Sequence, residues 1–133
     1  MATILIVEDE LAGLYKEALG LLGDGRHIIF VASRGDEGVR KAKSLRPELI
    51  IMDLRLPGKL SGTAAIKRIR VFDEQVPILA MTAFNDEYNR QEVMEAGATE
   101  YLVKPVDMET LLATVSQLLG NNEVGLEAKK IER

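Results

Sequence analysis

The chain has 133 residues, 47% of them apolar, and a net charge of −4. This length fits one domain with a real core, and a mildly acidic chain without a basic run is a poor partner for nucleic acid or an anionic membrane. The absence of cysteine excludes a disulfide framework, a thiolate nucleophile and a cysteine-bound zinc site. The amino terminus lacks a basic signal-peptide segment, and no apolar run approaches the roughly 20 residues that span a bilayer. We therefore expect a cytoplasmic location.

Short apolar runs alternate with helical patterns along the chain. The predicted strands are residues 4–7, 28–31, 49–52, 78–81 and 101–103. The predicted helices are residues 10–22, 35–45, 62–72, 86–96 and 107–119. The first four apolar runs are continuous, which is typical of parallel strands buried on both faces. Five such units predict an open, doubly wound α/β sheet whose functional site lies beyond the carboxyl ends of the strands.

Residue patterns also predict details of the helices. In the first helix, Leu11, Leu14, Tyr15 and Leu19 recur at spacings of three and four, which predicts that they share the buried face. The other signals concern helix ends. They are Pro47 after the second helix, Gly97 after the fourth, Asp107 before the fifth and Gly120 after it.

Polar residues follow the predicted strands at the expected functional edge. Glu8 and Asp9 follow the first strand, Asp53 the third, Thr82 the fourth and Lys104 the fifth. Each residue alone has a purely structural explanation, such as a helix cap, a solvated charge or a strand threonine. Together they form a complementary set of carboxylates, one hydroxyl and one ammonium group, which predicts a single charged cleft.

The chemistry of this set favours a hard cation and phosphoryl transfer. Clustered carboxylates repel each other by about 1 kcal/mol per pair in water and by more near a protein surface. Oxygen ligands without histidine or cysteine suit Mg²⁺ or Ca²⁺, and Glu8, Asp9 and Asp53 favour Mg²⁺ because they lack the spacing of an EF-hand calcium loop. An ionised Asp53 as nucleophile, Lys104 as fixed cation and Thr82 as hydroxyl donor complete the requirements for a phospho-acceptor site.

Four ordered motifs resemble the receiver domain of two-component response regulators. They are Glu8-Asp9, residues 53–58, Met81-Thr82-Ala83 and residues 101–105. The resemblance covers residues 1–120 and leaves 121–133 as a carboxyl-terminal tail or linker. It implies a (βα)5 domain with the flavodoxin-like strand order 2-1-3-4-5. It also implies a signalling protein rather than a metabolic enzyme, although such a domain catalyses its own phosphorylation and dephosphorylation.

The resemblance further implies roles for individual residues. Asp53 becomes the phospho-acceptor, with Mg²⁺ bound by Asp9, Asp53 and the Arg55 carbonyl, and by Glu8 largely through water. Thr82 and Lys104 bind the phosphoryl group, and the Lys104–Pro105 peptide is expected to be cis. Thr82 and Tyr101 resemble the switch pair that remodels the face of helix four, strand five and helix five.

The family also implies partners. These are a histidine kinase or histidine phosphotransfer protein, an output domain or effector protein, and a second copy of the chain on phosphorylation. No nucleic-acid-binding motif lies within the chain.

Two segments depart from the family's common pattern. The loop from Pro57 to Gly62 is one residue longer, and the apolar Phe84 stands where the family tunes phosphoryl lifetime. We hypothesise that Phe84 hinders the attacking water and lengthens that lifetime. His27, the single histidine, is expected to be structural or exposed, because it precedes the second strand and lies away from the cleft.

Other classes fit the sequence less well. A haloacid-dehalogenase-type enzyme has a second aspartate, as general acid, at the position that Arg55 occupies here. A nucleotide-binding protein would need a glycine-rich phosphate-binding motif, and the sequence contains none. A flavodoxin-like carrier would meet repulsion between Glu8, Asp9 and a flavin phosphate. A non-phosphorylated adaptor that acts by protein–protein interaction remains the alternative.

Overall fold

The computed structural model describes residues 2–20, 27–83 and 87–120 and contains five strands and five helices in alternation over that part of the chain. They are β1 (Thr3–Val7), α1 (Ala12–Gly20), β2 (Ile28–Ala32), α2 (Gly35–Leu45), β3 (Leu49–Asp53), α3 (Gly62–Phe72), β4 (Ile78–Thr82), α4 (Glu87–Ala96), β5 (Glu100–Val103) and α5 (Met108–Gly120). The predicted tail, Phe84 and the predicted residues 21, 22 and 86 of two helices lie outside the described residues.

The five strands form one parallel sheet in the order β2-β1-β3-β4-β5, as predicted. Side chains of β1 alternate between two hydrophobic clusters, one on each face of the sheet. Leu5 and Val7 pack with residues of α2, α3 and α4, whereas Ile4 and Ile6 pack with residues of α1 and α5. Helices therefore lie on both faces, and the carboxyl ends of the strands form an accessible edge where a site can be built. Within the part of the chain described here, no helix has the length and apolar character needed to cross a membrane.

The prediction that the second strand is buried on both faces is wrong. Ile28 and Phe30 are 44% and 36% exposed, because β2 lies at the edge of the sheet and pairs with β1 alone among the described strands. The neighbouring helix α2 buries only glycine and alanine, so it packs closely on the sheet and leaves β2 partly uncovered. The outward backbone carbonyl of Val31 instead accepts a hydrogen bond of 2.6 Å from Lys41 Nζ.

The first helix also differs from its predicted packing. Tyr15 and Leu19 are buried together with Ala12, whereas Leu11 and Leu14 are 40% and 53% exposed. A spacing of three and four residues from Ala12 already fills the face that meets the sheet. Leu14 consequently lies on the adjoining, solvent-facing side of α1, and Leu11 precedes the helix.

The predicted helix boundaries are confirmed at three described ends. Arg46, before Pro47, ends α2 in the left-handed conformation with φ of 49°, and Gly97 follows α4 with φ of 123°. Asp107 precedes α5, and its Oδ1 accepts a hydrogen bond of 2.8 Å from the Thr110 N–H. These local signals fix where each chain segment enters and leaves the layer of helices.

Gly62 brings the first turn of α3 directly onto the end of β3. A Cβ atom added at Gly62 would lie 2.2 Å from the carbonyl oxygen of Asp53 and 2.6 Å from the Leu54 Cα. The Gly62 N–H also donates a hydrogen bond of 3.2 Å to the Leu54 carbonyl. Only glycine fits here without displacing the backbone that carries Asp53.

We therefore expect Gly62→Ala to destabilise the protein by about 1–3 kcal/mol, since the new methyl group must push two backbone segments apart. The matched control is Gly13→Ala in α1, where nothing lies within 4 Å of an added Cβ. That substitution should stabilise the helix by about 0.5–1 kcal/mol. Urea unfolding of both variants measures the difference, and equal stabilities would contradict the close approach.

Candidate active site

Three carboxylates gather where parallel strands end. Glu8 follows β1 directly and Asp9 comes next, while Asp53 is the last residue of β3. One carboxylate oxygen from each of these three residues lies within 4.8 Å of the other two. Glu8 and Asp53 are 2% and 5% exposed, whereas Asp9 is exposed. The structure thus assembles the predicted acidic cluster.

Lys104 joins two of these carboxylates from the end of β5. Its Nζ lies 2.7 Å from Glu8 Oε1 and 3.1 Å from Asp53 Oδ2. The Lys104–Pro105 peptide is cis, as expected, and the Lys104 N–H donates to the Thr82 carbonyl over 2.6 Å. A single ammonium group therefore bridges two buried carboxylates that would otherwise repel each other.

Glu8 has a second contact that the sequence did not reveal. Its Oε2 accepts hydrogen bonds from the backbone N–H groups of Glu10, at 2.9 Å, and Leu11, at 3.2 Å. These N–H groups lie at the entry to α1, where donors lack partners within the helix. Glu8 thus connects the lysine to the start of α1, a role for which its position after an apolar strand gives no signal.

Asp53 is held from two sides. Its Oδ1 accepts a hydrogen bond of 3.1 Å from the Arg55 N–H, while its Oδ2 faces Lys104. Because backbone and ammonium donors occupy different oxygens, the orientation of the carboxylate is defined. The Arg55 side chain is exposed, and the role of its carbonyl as a metal ligand stays a prediction.

The pKa values of the three charged groups shift in different directions. Burial raises the pKa of Asp53, an effect that the Arg55 N–H and Lys104 offset only in part and the charge of Glu8 reinforces. Burial alone would raise the pKa of Glu8, but hydrogen bonds from Lys104 and two backbone N–H groups lower it overall. Burial alone would lower the pKa of Lys104, but both carboxylates raise it overall. The surroundings therefore favour the ionised form of Glu8, disfavour the ionised form of Asp53 and favour the protonated form of Lys104.

The predicted switch residues lie on β4, which pairs with the strand of Asp53, and on β5 beyond it. Thr82 ends β4 and is 1% exposed, and its register partner on β5 is Val103. Tyr101 of β5 is half-buried, pairs with Ala80 and packs against the hydrophobic cluster on the α2–α4 face. Thr82 thus lies at the carboxyl end of β4, and Tyr101 lies two residues before the end of the edge strand β5. Their switching role stays a prediction.

Tyr15 is a neighbour of the cleft that the sequence identified only as a core residue. It is buried, and burial raises the pKa of its hydroxyl. Lys104, Glu8 and Asp53 also act on this pKa through their charges, so Tyr15 lies within their field. Only the order of the strands brings α1 to this position, which explains why a local pattern could not find it.

The donor set fits a magnesium ion. Glu8, Asp9 and Asp53 supply only carboxylate oxygens, and the groups close enough to share an ion include neither histidine nor sulfur. Mg²⁺ binds through one or two carboxylates and keeps several waters, which the exposed Asp9 side of the cluster allows. His27 lies elsewhere, where its Nδ1 accepts a hydrogen bond of 3.0 Å from the Ala2 N–H, in line with its predicted structural role.

Comparison with known proteins agrees with this arrangement. The family model described as the response regulator receiver domain matches residues 4–116. Protein PilH of Pseudomonas aeruginosa is 36% identical over 121 residues, covering 90% of this chain and 98% of its own length. The transcriptional regulatory protein AfsQ1 of Streptomyces coelicolor is 36% identical over 123 residues, covering 92% of this chain. The chain spans only 53% of AfsQ1.

Solved structures show the same fold. The receiver domain of sensor histidine kinase PA1611 from Pseudomonas aeruginosa PAO1, with a magnesium ion coordinated in its active site cleft, has a TM-score of 0.79 and 32% identity, covering 90% of this chain and 98% of that one. The Vibrio cholerae chemotaxis protein CheY4 has a TM-score of 0.81 and 32% identity, covering 90% and 99%. The parallel sheet, the carboxylate cluster and the family match together show that this chain belongs to the response regulator receiver domain family.

Proposed function

We propose that this chain accepts a phosphoryl group on Asp53 in a magnesium-dependent reaction and passes the signal on through its surface. The observation that carries the proposal is the position of Lys104, whose ammonium group contacts buried Asp53 and Glu8 together. A lysine held against an acceptor carboxylate supplies the fixed positive charge that phosphoryl transfer requires.

The proposed step is a displacement at phosphorus. A carboxylate oxygen of Asp53 forms a bond to phosphorus while the bond from phosphorus to the donor's leaving atom breaks, and the leaving group takes that electron pair. For a phosphohistidine donor the leaving atom is an imidazole nitrogen. Lys104 would turn from Asp53 Oδ2 towards an incoming phosphoryl oxygen, and its contact with Glu8 would keep it in the cleft.

The metal site is proposed from the same residues. Asp9, Asp53 and the Arg55 carbonyl would hold Mg²⁺ directly, and Glu8 would act largely through water. When bound, Mg²⁺ neutralises negative charge on the phosphoryl oxygens and on the carboxylates. The Arg55 N–H keeps Asp53 oriented throughout.

The signalling step is proposed to use Thr82 and Tyr101. A Thr82 hydroxyl drawn to the phosphoryl group would leave room for Tyr101 to rotate inward, and the face of α4, β5 and α5 would change shape. The proposed donors are a histidine kinase or a histidine phosphotransfer protein in the cytoplasm. The proposed receivers of the signal are an output domain, an effector protein or a second copy of the chain.

We expect intact-mass spectrometry to show one phosphoryl adduct after incubation with a small-molecule phosphodonor and Mg²⁺. The adduct should be stable in acid and lost in base, as an acyl phosphate is, and absent in Asp53→Asn. Asp107→Asn, which changes the exposed aspartate before α5, serves as the control and should be modified like the wild type. An adduct on Asp53→Asn would reject Asp53 as acceptor, and no adduct in any sample would favour the adaptor alternative.

Magnesium should also stabilise the protein without any phosphodonor. At a concentration 100 times its dissociation constant, a ligand that binds only the folded state adds about 2.7 kcal/mol to the free energy of unfolding. Asp9→Asn should remove most of this gain, whereas Glu10→Gln, at the exposed neighbouring position, should keep it. Thermal unfolding across a Mg²⁺ titration measures the effect, and equal gains in both variants would argue against Asp9 as a ligand.

Without Mg²⁺, Asp53→Asn should stabilise the protein at neutral pH. The raised pKa of Asp53 means that the folded state holds its proton more tightly, so stability falls as pH rises from the unfolded towards the folded pKa. Removing the charge should add about 1 kcal/mol at pH 7, which corresponds to a Tm increase of about 4 °C. The gain should shrink as pH falls through the folded pKa.

Thermal unfolding followed by circular dichroism between acidic and neutral pH tests this expectation. The control is Asp107→Asn, because hydrogen bonds from Thr110 lower the pKa of this exposed carboxyl and its ionised form is already favourable. A loss of stability in Asp53→Asn at pH 7 would show that attraction to Lys104 outweighs the effect of burial.

A further inference from the structure

We propose that Arg34 is a positioning residue that holds the β3–α3 loop, residues 54–61, against the start of α2 and thereby keeps the metal side of the cleft in shape. Its expected effect on Mg²⁺ binding rests on the function proposed above, whereas its expected effect on the loop does not. The inference depends on the contacts that Arg34, Gly35 and Arg55 make.

Arg34 occupies a position where helices usually have a different residue. It is the N-cap of α2, with extended φ and ψ of −137° and 154°, and its side chain makes no capping hydrogen bond. Serine, threonine, aspartate or asparagine is preferred here because their oxygens accept from the first N–H groups, whereas arginine has no acceptor. The N-cap residue of α2 therefore makes no side-chain capping hydrogen bond, which suggests that the guanidinium group has a different role.

The guanidinium of Arg34 lies directly over Gly58 in the loop. A Cβ atom added at Gly58 would lie 2.7 Å from Arg34 Nη2 and 2.9 Å from its Cζ. Gly58 has φ of 94°, so the loop already adopts a conformation that favours glycine. Arg34 is anchored on the other side by Asp36, with 3.3 Å between Nε and Oδ1. The side chain therefore spans from α2 to the loop although it is half exposed.

The adjoining residue makes a second close approach. A Cβ atom added at Gly35 would lie 2.5 Å from the carbonyl oxygen of Leu60, so the backbone of the β2–α2 turn packs against the loop two residues beyond Gly58. At its other end the loop is tied to the cleft, because the Arg55 N–H donates to Asp53. The loop thus runs from the acceptor aspartate to a support that Arg34 and Gly35 provide.

Loss of this support should change the cleft through the loop. The Arg55 carbonyl is a proposed magnesium ligand, and a more mobile loop would hold it in place for less of the time. Arg34 does not need to touch the metal or the phosphoryl group for this effect. It would act as the residues behind a ligand act in other metal sites, where their loss weakens binding by about tenfold or more.

The decisive variant is Arg34→Asn. Asparagine restores a capping oxygen to α2 but is too short to cover Gly58, so the helix gains while the loop loses. We expect Tm in metal-free buffer to stay equal or rise. The hydrogen-bonded amides of Arg55 and Gly62, at the two ends of the loop, should exchange hydrogen about tenfold faster, and the Mg²⁺ concentration at half-maximal thermal stabilisation should increase about tenfold. A merely structural role would lower Tm together with Mg²⁺ affinity.

Two controls separate position from charge. Arg40→Asn removes another arginine that contacts Asp36, at 3.5 Å, and leaves the contact with Gly58 intact. Its loop exchange and magnesium response should match those of the wild type. Arg34→Lys keeps the charge but loses the planar group over Gly58, so its loop amides should exchange faster than in the wild type.

The outcomes decide the proposal in either direction. Wild-type loop exchange in Arg34→Asn would overturn it, as would wild-type behaviour of Arg34→Lys combined with loss in Arg34→Asn, which would assign the effect to charge alone. Faster loop exchange with an unchanged magnesium response would reject the link to the cleft. Hydrogen exchange needs no phosphorylation, so failure of the wild type to accept a phosphoryl group would contradict the proposed function and leave this test intact.

Discussion

The contact of Lys104 with Glu8 and Asp53 is the interaction around which the rest of the site is arranged. Two buried carboxylates would not remain ionised side by side without a cation, and the lysine provides one at 2.7 and 3.1 Å. The contact spans 96 residues of sequence and joins the ends of β1, β3 and β5. It therefore depends on the parallel sheet and on its strand order, and in return it ties the open edge of that sheet together.

The same contact leaves the site unevenly charged. Glu8 has the backbone N–H groups at the start of α1 as well as the lysine, so its negative charge is well compensated. Asp53 is less well compensated and its pKa is raised. A carboxylate that is buried, oriented and incompletely neutralised gains from any added cation. This imbalance connects the stability of the fold to the chemistry that we propose for it.

Much of this arrangement could be predicted from the sequence because it follows from strand ends. Continuous apolar runs located β1, β3 and β4, and the residues after them identified Glu8, Asp53 and Thr82. The wrong predictions concern the burial of side chains, which depends on the elements that surround a strand or helix in the fold. Ile28 and Leu14 are exposed because β2 is at the sheet edge and α1 meets the sheet with another face. Similarly, the packing of Arg34 on Gly58 joins residues far apart in sequence, and no local period reports it.

The edge strand has a consequence for how copies of this protein behave at high concentration. An exposed strand bearing Ile28 and Phe30 is the kind of surface on which strands of other molecules can add and begin aggregation. Lys41 counters this hazard, because its ammonium group occupies the outward carbonyl of Val31 and brings a charge to the edge. A lysine of α2 thus hinders the neighbouring strand β2 from pairing with strands of other molecules.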